Sequence, residues 1–261
     1  MAVKGAVLGD ILGSQYEFWR PEDLDWEHVE LLRPDYAAFT DDTVMMLAIK
    51  KAILDGTDLV DTMVEVGRKY EDCGYGGSFY HWIMTDNHNP YNSWGNGSAM
   101  RVTFVGEYYD DYEEMQKMAK KTAEVSHNHP EGIKGAVVTA TCVWMAKHGK
   151  SKKDIYNYVL SEYPTEKYQY SIEYSLSEIR PTYKFDVSCQ GSVPVAMRCF
   201  YESTDYESFI RNIYSLDCDS DTFGAIAGGV TEEYYHGFGN VPAKDILECF
   251  LTDELMEILM R

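Results

Sequence analysis

Two clusters of acidic side chains in this sequence have the composition of a cation site. Asp41 and Asp42 stand side by side in the segment FTDDTVMML, directly before an apolar run. Asp217, Asp219 and Asp221 occupy alternate positions in the segment LDCDSDTFGAIAGGV. Oxygen ligands without histidine or cysteine favour Mg²⁺, Mn²⁺ or Ca²⁺. If the two clusters meet in the folded chain, they predict a site for hard divalent cations.

The first turn of a helix offers a structural explanation for the same acids. Unpaired N–H groups and the partial positive charge of a helix start stabilise a carboxylate there. Thr40 precedes the first cluster and Thr222 follows the second, so each cluster combines carboxylate and hydroxyl oxygens. Capping accounts for one carboxylate at each start. If the two helix starts meet, several carboxylates of like charge lie in a small space, and cations are required to offset their repulsion.

The spacing D-x-D-x-D from Asp217 also resembles the start of an EF-hand calcium loop. That loop requires glycine at its sixth position and a bidentate glutamate at its twelfth. The corresponding positions hold Thr222 and Gly228. An EF-hand is therefore excluded, and the second cluster is interpreted as the start of a helix.

The helix after the second cluster has the composition of a close-packed element. Gly224, Gly228 and Gly229 are poor helix formers, and Ala225 and Ala227 lie between them. Such small residues are explained if another backbone packs very close to this helix. The N-terminal segment AVKGAVLGDILG is also predicted to form a helix with small residues on one face.

Apolar periodicity predicts a mostly helical chain with long loops and hardly any alternating strand pattern. Residues 20–38, 72–99 and 163–192 lack that periodicity and are predicted as loops. Gly56 is predicted to end the helix that begins at Asp41. After the first helix, the predicted helices span approximately 41–55, 58–71, 111–125, 131–148, 151–162, 193–202, 205–215, 222–236 and 243–259.

The composition is typical of a soluble protein with one large core. The chain has 261 residues, of which 45% are hydrophobic, and a formal net charge of −20. Such a surface repels phosphates, so neither extended nucleic acid nor an anionic membrane is expected as a partner. The six cysteines form no CxxC pair, and no stretch approaches a membrane-spanning length. We expect a cytoplasmic monomer with a single domain over residues 1–261.

Three further segments carry polar side chains in glycine-rich surroundings. SWGNGSAMR, residues 93–101, is typical of loops that offer backbone N–H groups to phosphate, although an ordinary turn explains it equally. SHNHPEGIKGA places His127 and His129 before a helix that starts with proline, where capping is the alternative role. YKFDVSCQGSVP, residues 183–194, is predicted as a loop. A nucleophilic role for its Cys189 requires a nearby base, which the sequence does not reveal.

These motifs together resemble the ADP-ribosylglycohydrolase family in its compact bacterial form. The chain carries, in order, GDILGSQYEF, FTDDT, SWGNGSAMR, SHNHPEGIKGA, SCQGSVP and DSDT followed by GAIAG. The resemblance runs from Gly5 to about residue 242. FTDDT and DSDT form a specific ordered pair, and the glycine-rich loop between them makes coincidence improbable.

The resemblance implies an all-α fold, a compact orthogonal helix bundle with a binuclear metal site in a cleft. It implies two Mg²⁺ ions, for which Mn²⁺ can substitute, and hydrolysis of the bond between ADP-ribose and a modified protein or small molecule. The implied metal ligands are Thr40, Asp41, Asp42, Asp219, Asp221 and Thr222. The implied catalytic residues are Glu17, Asp41, Asp42 and Asp219. The implied substrate-binding residues are Ser93, Trp94, Gly95, Asn96, Gly97 and His127.

Some properties remain open at this stage. Glu17 matches a family glutamate on a mobile loop, which either protonates the leaving group or closes the site. The family usually has two glycines before its second acid motif, where this chain has Asp217 and Cys218. Asp217 is expected either to face the metals beside Asp219 or to cap a neighbouring amide. The acceptor is not identified, and the alternative function is a metal- and ADP-ribose-binding relative without turnover.

Overall fold

Residues 2–261, which the computed structural model describes, are built from helices, and they form no β-strand. An isolated bridge joins Gly95 to Ser188. The prediction of an all-α fold is confirmed, and none of the helices in this range combines the length and apolarity needed to span a bilayer. The helices are α1 Ala2–Ser14, α2 Asp41–Asp55, α3 Leu59–Lys69, α4 Gly77–Met84, α5 Gly97–Met100, α6 Thr103–Tyr108, α7 Tyr112–Glu124, α8 Pro130–Lys147, α9 Lys152–Glu162, α10 Leu176–Ile179, α11 Cys189–Glu202, α12 Tyr206–Tyr214, α13 Ser220–Tyr235, α14 Ala243–Phe250 and α15 Asp253–Met260.

The helix predictions differ from the structure in three respects. Helices α4, α5, α6 and α10 were not predicted, because segments of four to eight residues are too short to show periodicity. Helix α11 begins at Cys189 rather than near residue 193, because Ser188 caps it by accepting a hydrogen bond from the Gly191 N–H. The predicted helix 243–259 is two helices, since Leu251 is extended and Thr252 caps a new start.

Helices α1 and α13 pack backbone against backbone in antiparallel directions. A Cβ atom added at Gly9 would overlap the carbonyl of Gly224, and one added at Gly5 would overlap the carbonyl of Gly228. At the other end of the contact, the Ser220 hydroxyl donates a hydrogen bond to the Gly13 carbonyl over 2.7 Å. The prediction that another backbone packs closely on α13 is therefore confirmed.

The two acidic helix starts are capped differently. Thr40 is the N-cap of α2, and its hydroxyl accepts a hydrogen bond from the Asp42 N–H, while Gly56 ends the helix in the left-handed conformation as predicted. Asp219 is the N-cap of α13, yet its side chain makes no capping hydrogen bond. Capping therefore does not explain the Asp219 carboxylate.

Helix α2 lies between two clusters of buried apolar side chains. Met46 and Leu47 join the larger cluster, which contains α1, α11, α12 and α13. Val44 and Met45 join the smaller cluster, which contains α3, α4 and α7. Because α2 is buried on both sides, the acids at its start are held in a fixed position at the junction of the two clusters.

Because α1 and α13 are in close contact, one added methyl group between them is expected to destabilise the folded chain strongly. Gly9→Ala is expected to lower the free energy of unfolding by about 1–3 kcal/mol or more, because the backbones must separate. Gly77→Ala is the control, since an added Cβ there meets no atom within 4 Å. Chemical denaturation of both variants checks this. Equal stabilities of the two variants would contradict the backbone contact.

Candidate metal and ligand cleft

The starts of α2 and α13 open into one cleft of about 580 Å³. The Thr222 hydroxyl lies 3.5 Å from Oδ2 of Asp42, so the two helix starts are in direct contact. All the acids implied by the family resemblance border this cleft, and so do the glycine-rich loop and His127. The polar and loop residues that line the cleft include Glu17, Asp41, Asp42, Ser93, Trp94, Gly95, Asn96, Gly97, Arg101, His127, Asp219, Asp221 and Thr222.

Three of the carboxylates form a compact group of possible cation ligands. One oxygen each from Glu17, Asp219 and Asp221 lies within 4.8 Å of the other two, and both aspartates are buried. Oδ1 of Asp42 is also buried and has no hydrogen-bond partner among residues 2–261. A buried carboxylate oxygen without a hydrogen-bond donor is unfavourable unless a cation binds to it. The donor set, oxygen only, fits a hard divalent cation.

The cluster shows strongly raised carboxyl pKa values. Burial raises the pKa of Asp219 to about 7. Burial, followed by the charges of Asp10 and Glu17, raises the pKa of Asp41 to about 8. Burial and then the charge of Asp221 raise the pKa of Glu17 to about 9, and the same two causes raise that of Asp42 well above its usual range. The cluster therefore resists full ionisation unless a cation compensates its charge.

Asp10 is a sixth acid at this junction, fully buried, and the sequence analysis did not single it out as a site residue. It extends from α1, and its carboxylate accepts hydrogen bonds from the backbone N–H groups of Thr40 and Thr43 and from both hydroxyls. Burial raises its pKa to about 6 despite these donors. Asp10 thus holds the start of α2 against α1. A single acid inside the apolar segment AVLGDILG was the available signal for this role.

Asn96 connects the glycine-rich loop to the acid cluster. Its side-chain amide donates to Oδ2 of Asp219 over 2.7 Å and to the hydroxyl of Ser192 over 3.0 Å. Its backbone N–H donates to the Val187 carbonyl, which forms part of the pairing with the segment before α11. Asn96 was predicted to contact substrate, and the structure places its side chain on a predicted metal ligand.

The remaining loop residues also border the cleft, and Asn96 connects their loop to the buried acids. The Gly95 N–H donates to the Ser93 hydroxyl over 3.1 Å, and Gly97 begins the short helix α5. Nε2 of His127 lies close to this loop, since a Cβ atom added at Gly97 would approach it to 3.1 Å. Trp94 exposes about half of its surface and meets the ring of His129 edge-on.

His127 and His129 have different roles, although they are two residues apart. His129 is the N-cap of α8, and its Nδ1 accepts a hydrogen bond from the Glu131 N–H over 3.1 Å, which is the capping alternative. His127 is buried beside the cleft, and its Nδ1 lies 2.8 Å from the Ser126 hydroxyl. Burial, with the charge of Arg101 second, holds the pKa of His127 well below its usual range.

Neither role considered for Asp217 is found within residues 2–261, and the nucleophilic role considered for Cys189 is excluded. Asp217 does not face the acid cluster, because its carboxylate forms an exposed ion pair with Lys184 over 3.0 Å. Cys189 does not lie on a loop but begins α11, where burial raises the pKa of its thiol to about 12. A buried, protonated thiol is not a nucleophile, so the thiol-enzyme hypothesis fails.

An apolar rim surrounds the open side of the cleft near Glu17. Phe18 and Phe185 are largely exposed, and their ring centroids are 6.2 Å apart. Phe79, from the unpredicted helix α4, contributes a buried wall on another side. These residues were missed because their segments lack periodicity and because isolated aromatic residues more commonly pack in cores.

Known proteins resemble this chain over most of its length. The family model of ADP-ribosylglycohydrolases matches residues 1–260. The human protein named ADP-ribosylhydrolase ARH3 is 26% identical over 309 aligned positions, which cover 91% of this chain and 85% of the human protein. A mimivirus protein named putative ADP-ribosyl glycohydrolase L543 is 23% identical and covers 97% of this chain and 91% of its own length.

A solved structure shows the same fold. It is described as an ADP-ribosylglycohydrolase-related protein complex, and its TM-score with this chain is 0.76. The two sequences are 21% identical, and the match covers 98% of this chain and 93% of the chain in the solved structure. At that identity the similarity shows the fold alone. The family model, however, matches nearly the whole chain, and this match shows that the chain belongs to the ADP-ribosylglycohydrolase family.

The raised carboxyl pKa values predict how the stability without metal depends on pH. Between pH 7 and 9, the folded chain binds more protons than the unfolded chain, whose carboxyl pKa values are about 4. The free energy of unfolding in EDTA should therefore fall as pH rises through the folded pKa values of Asp219, Asp41 and Glu17, which are about 7, 8 and 9. Thermal denaturation at several pH values checks this.

The same experiment tests the role of cations. Mg²⁺ should raise the melting temperature more at pH 9 than at pH 7, because it replaces the protons that the carboxylates lose. NaCl at equal ionic strength is the control for screening. A melting temperature in EDTA that rises over this pH range would contradict the raised pKa values.

Proposed function

We propose that this chain is a Mg²⁺-dependent hydrolase that cleaves the glycosidic bond between ADP-ribose and a modified acceptor. The observation that supports it is the meeting of two acidic helix starts in a cleft that also contains the glycine-rich loop and His127. The acceptor is an ADP-ribosylated protein or small molecule. Retention of Glu17 and both acid clusters favours this proposal over a binding relative without turnover.

The acid end of the cleft is assigned to the cations. Thr40, Asp41 and Asp42 from the start of α2 would hold them together with Asp219, Asp221 and Thr222 from the start of α13. Two bound Mg²⁺ ions would supply positive charge and Lewis acidity, which orient ribose hydroxyls and water and offset the negative field of the protein. Asn96 keeps the Asp219 carboxylate in one orientation through its amide.

The rest of the cleft is assigned to ADP-ribose and its acceptor. The loop from Ser93 to Gly97 and the ring of His127 border the side on which the diphosphate would lie. The exposed indole of Trp94 is available to stack on a planar base. Glu17 lies beside Asp221 and next to the exposed Phe18, and the acceptor bond is therefore assigned to the region around Glu17.

These assignments divide the reaction between binding and proton transfer. Cleavage at the anomeric carbon passes through an oxocarbenium-like transition state, and a fixed ribose and water reduce the entropy that must be lost to reach it. Glu17 is the partly exposed member of the acid group, so its carboxyl can reach both the acceptor and solvent. Glu17 is therefore assigned to proton exchange with the leaving group or the attacking water.

A matched pair of substitutions tests the metal site. Asp219→Asn should abolish hydrolysis and lower the affinity for Mg²⁺ by at least about tenfold, because it removes a ligand charge. Asp217→Asn should change both by less than about twofold, which is about 0.4 kcal/mol. The two positions are close in sequence, but only Asp219 belongs to the buried acid group.

The measurements are Mg²⁺ titration by calorimetry and release of ADP-ribose from arginine-, serine- and nucleotide-linked substrates. Circular dichroism establishes that the variants retain their helices. Hydrolysis that persists after EDTA treatment and dialysis into metal-free buffer would contradict the proposed function. Release from one linkage alone would identify the acceptor class.

A second substitution tests the phosphate side of the cleft. Gly97→Val should lower the affinity for ADP-ribose by about tenfold, or about 1.4 kcal/mol, while Mg²⁺ affinity stays unchanged. The added side chain would press on Nε2 of His127, which a Cβ atom alone approaches to 3.1 Å. Calorimetry with ADP-ribose and with Mg²⁺ separates the two effects. Unchanged ADP-ribose affinity would remove the loop from the binding site.

A further inference from the structure

Arg101, Ser126 and His127 form a chain of hydrogen bonds that leads to the cleft. Arg101 is fully buried, and its Nη2 donates to the Thr122 carbonyl over 2.8 Å and to the Ser126 hydroxyl over 2.9 Å. The same hydroxyl lies 2.8 Å from Nδ1 of His127. The other ring nitrogen of His127 lies near Gly97 and makes no hydrogen bond within residues 2–261.

The protons of this chain can be assigned from its chemistry. A guanidinium group only donates, so the Ser126 oxygen accepts from Arg101. The Ser126 hydroxyl is fully buried and has one proton, and His127 is the acceptor within reach. If Nδ1 carried a proton instead, the Ser126 proton would be left buried without an acceptor, which costs about 1–3 kcal/mol. The favoured state therefore has Nδ1 as acceptor and the proton on Nε2.

A doubly protonated His127 is disfavoured for two reasons. The ring is buried, and the positive charge of Arg101 lies close to it. Both effects hold the pKa of His127 well below its usual range, with burial the larger. His127 is thus neutral near pH 7 and presents an N–H group, not a charge, to the cleft.

The buried environment of Arg101 is unfavourable for its positive charge. Its Nε and Nη1 are buried without a hydrogen-bond partner among residues 2–261, and burial lowers its pKa to about 10. The guanidinium packs on the ring of Phe79 at 5.3 Å, which compensates only part of the lost hydration. A role in packing alone would be served better by an apolar side chain of similar volume.

We propose that Arg101 and Ser126 are positioning residues that fix His127 as the neutral Nε2–H tautomer. In this tautomer His127 donates a hydrogen bond to an anionic oxygen of the ligand beside Gly97. The identity of that ligand as ADP-ribose depends on the proposed function, whereas the tautomer depends only on the hydrogen-bond chain. Arg101 donates to Ser126, which in turn donates to His127, so Arg101 acts on the ligand through these two residues.

The tautomer can be measured directly in the unmodified chain. ¹⁵N NMR of histidine-labelled protein distinguishes a protonated from an unprotonated ring nitrogen, and His127→Gln identifies the signals of His127 by their loss. We expect Nδ1 to be unprotonated and Nε2 protonated at pH 7. In Ser126→Ala, the Nδ1–H form should become populated, because Nδ1 loses its donor.

A double-mutant cycle tests the consequence for binding. Glutamine at position 127 carries an amide donor that does not depend on Ser126. Ser126→Ala should lower the affinity for ADP-ribose by about tenfold in the His127 protein and by less than about twofold in the His127→Gln protein. A structural role of Ser126 would instead produce equal losses in both backgrounds. Calorimetry with ADP-ribose at fixed Mg²⁺ supplies the four affinities.

The outcomes separate this inference from the proposed function. If the unmodified chain does not bind ADP-ribose, the proposed function fails, and the donor role of His127 fails with it. If the chain binds ADP-ribose but His127 is protonated at Nδ1 or at both nitrogens, the inference alone is overturned. Equal losses in the two backgrounds overturn it too, and unequal losses together with the Nε2–H tautomer support it. Should Ser126→Ala not fold, the NMR measurement on the unmodified chain decides.

Discussion

The contact between α1 and α13 is the constraint on which the rest of the structure depends. Glycines on both helices let the two backbones approach more closely than any side chain would permit. This contact places the start of α13, with Asp219 and Asp221, beside the end of α1. Asp10 extends from the same α1 and holds the start of α2 through Thr40 and Thr43. One helix thus fixes both acidic starts relative to each other.

That arrangement creates an electrostatic conflict in a molecule that already has a net charge of −20. Acidic groups are concentrated where hydration is poorest, so burial and mutual repulsion raise their pKa values and oppose their ionisation. Tight packing around the site prevents the carboxylates from moving apart. The fold therefore supplies the stability that the site itself lowers.

The sequence predicted the parts of this structure that have a local signal. Long periodic helices such as α2, the left-handed stop at Gly56 and the close packing of α13 were all read from residue types and spacing. Short helices were missed because four to eight residues do not define a period. The role of Asp217 was left open between the metal site and a cap, and the structure of residues 2–261 shows neither, because its partner is Lys184, 33 residues away.

Asp10 and Arg101 were not assigned to the site, because each acts through contacts that are distant in sequence. Asp10 is 30 residues from Thr40, and Arg101 is 25 residues from Ser126. A single acid or arginine in an apolar segment carries no pattern that reveals its partner. The structure supplies the partner, and hydrogen-bond chemistry then supplies the direction in which each proton points.

The cleft thereby combines two groups of side chains with different electrostatic character. One group consists of carboxylates, and the other consists of the neutral ring of His127 and the buried charge of Arg101, which are linked through Ser126. Without cations, the carboxylates would repel an anionic ligand, and the net charge of −20 leaves no general attraction for phosphate. The N–H donors of His127 and of the glycine-rich loop do not depend on metal, since they belong to the protein itself. In the proposed function, a ligand with a diphosphate and a ribose would therefore meet these donors with its diphosphate and the carboxylates with its ribose, and its anomeric carbon would lie beside the acids.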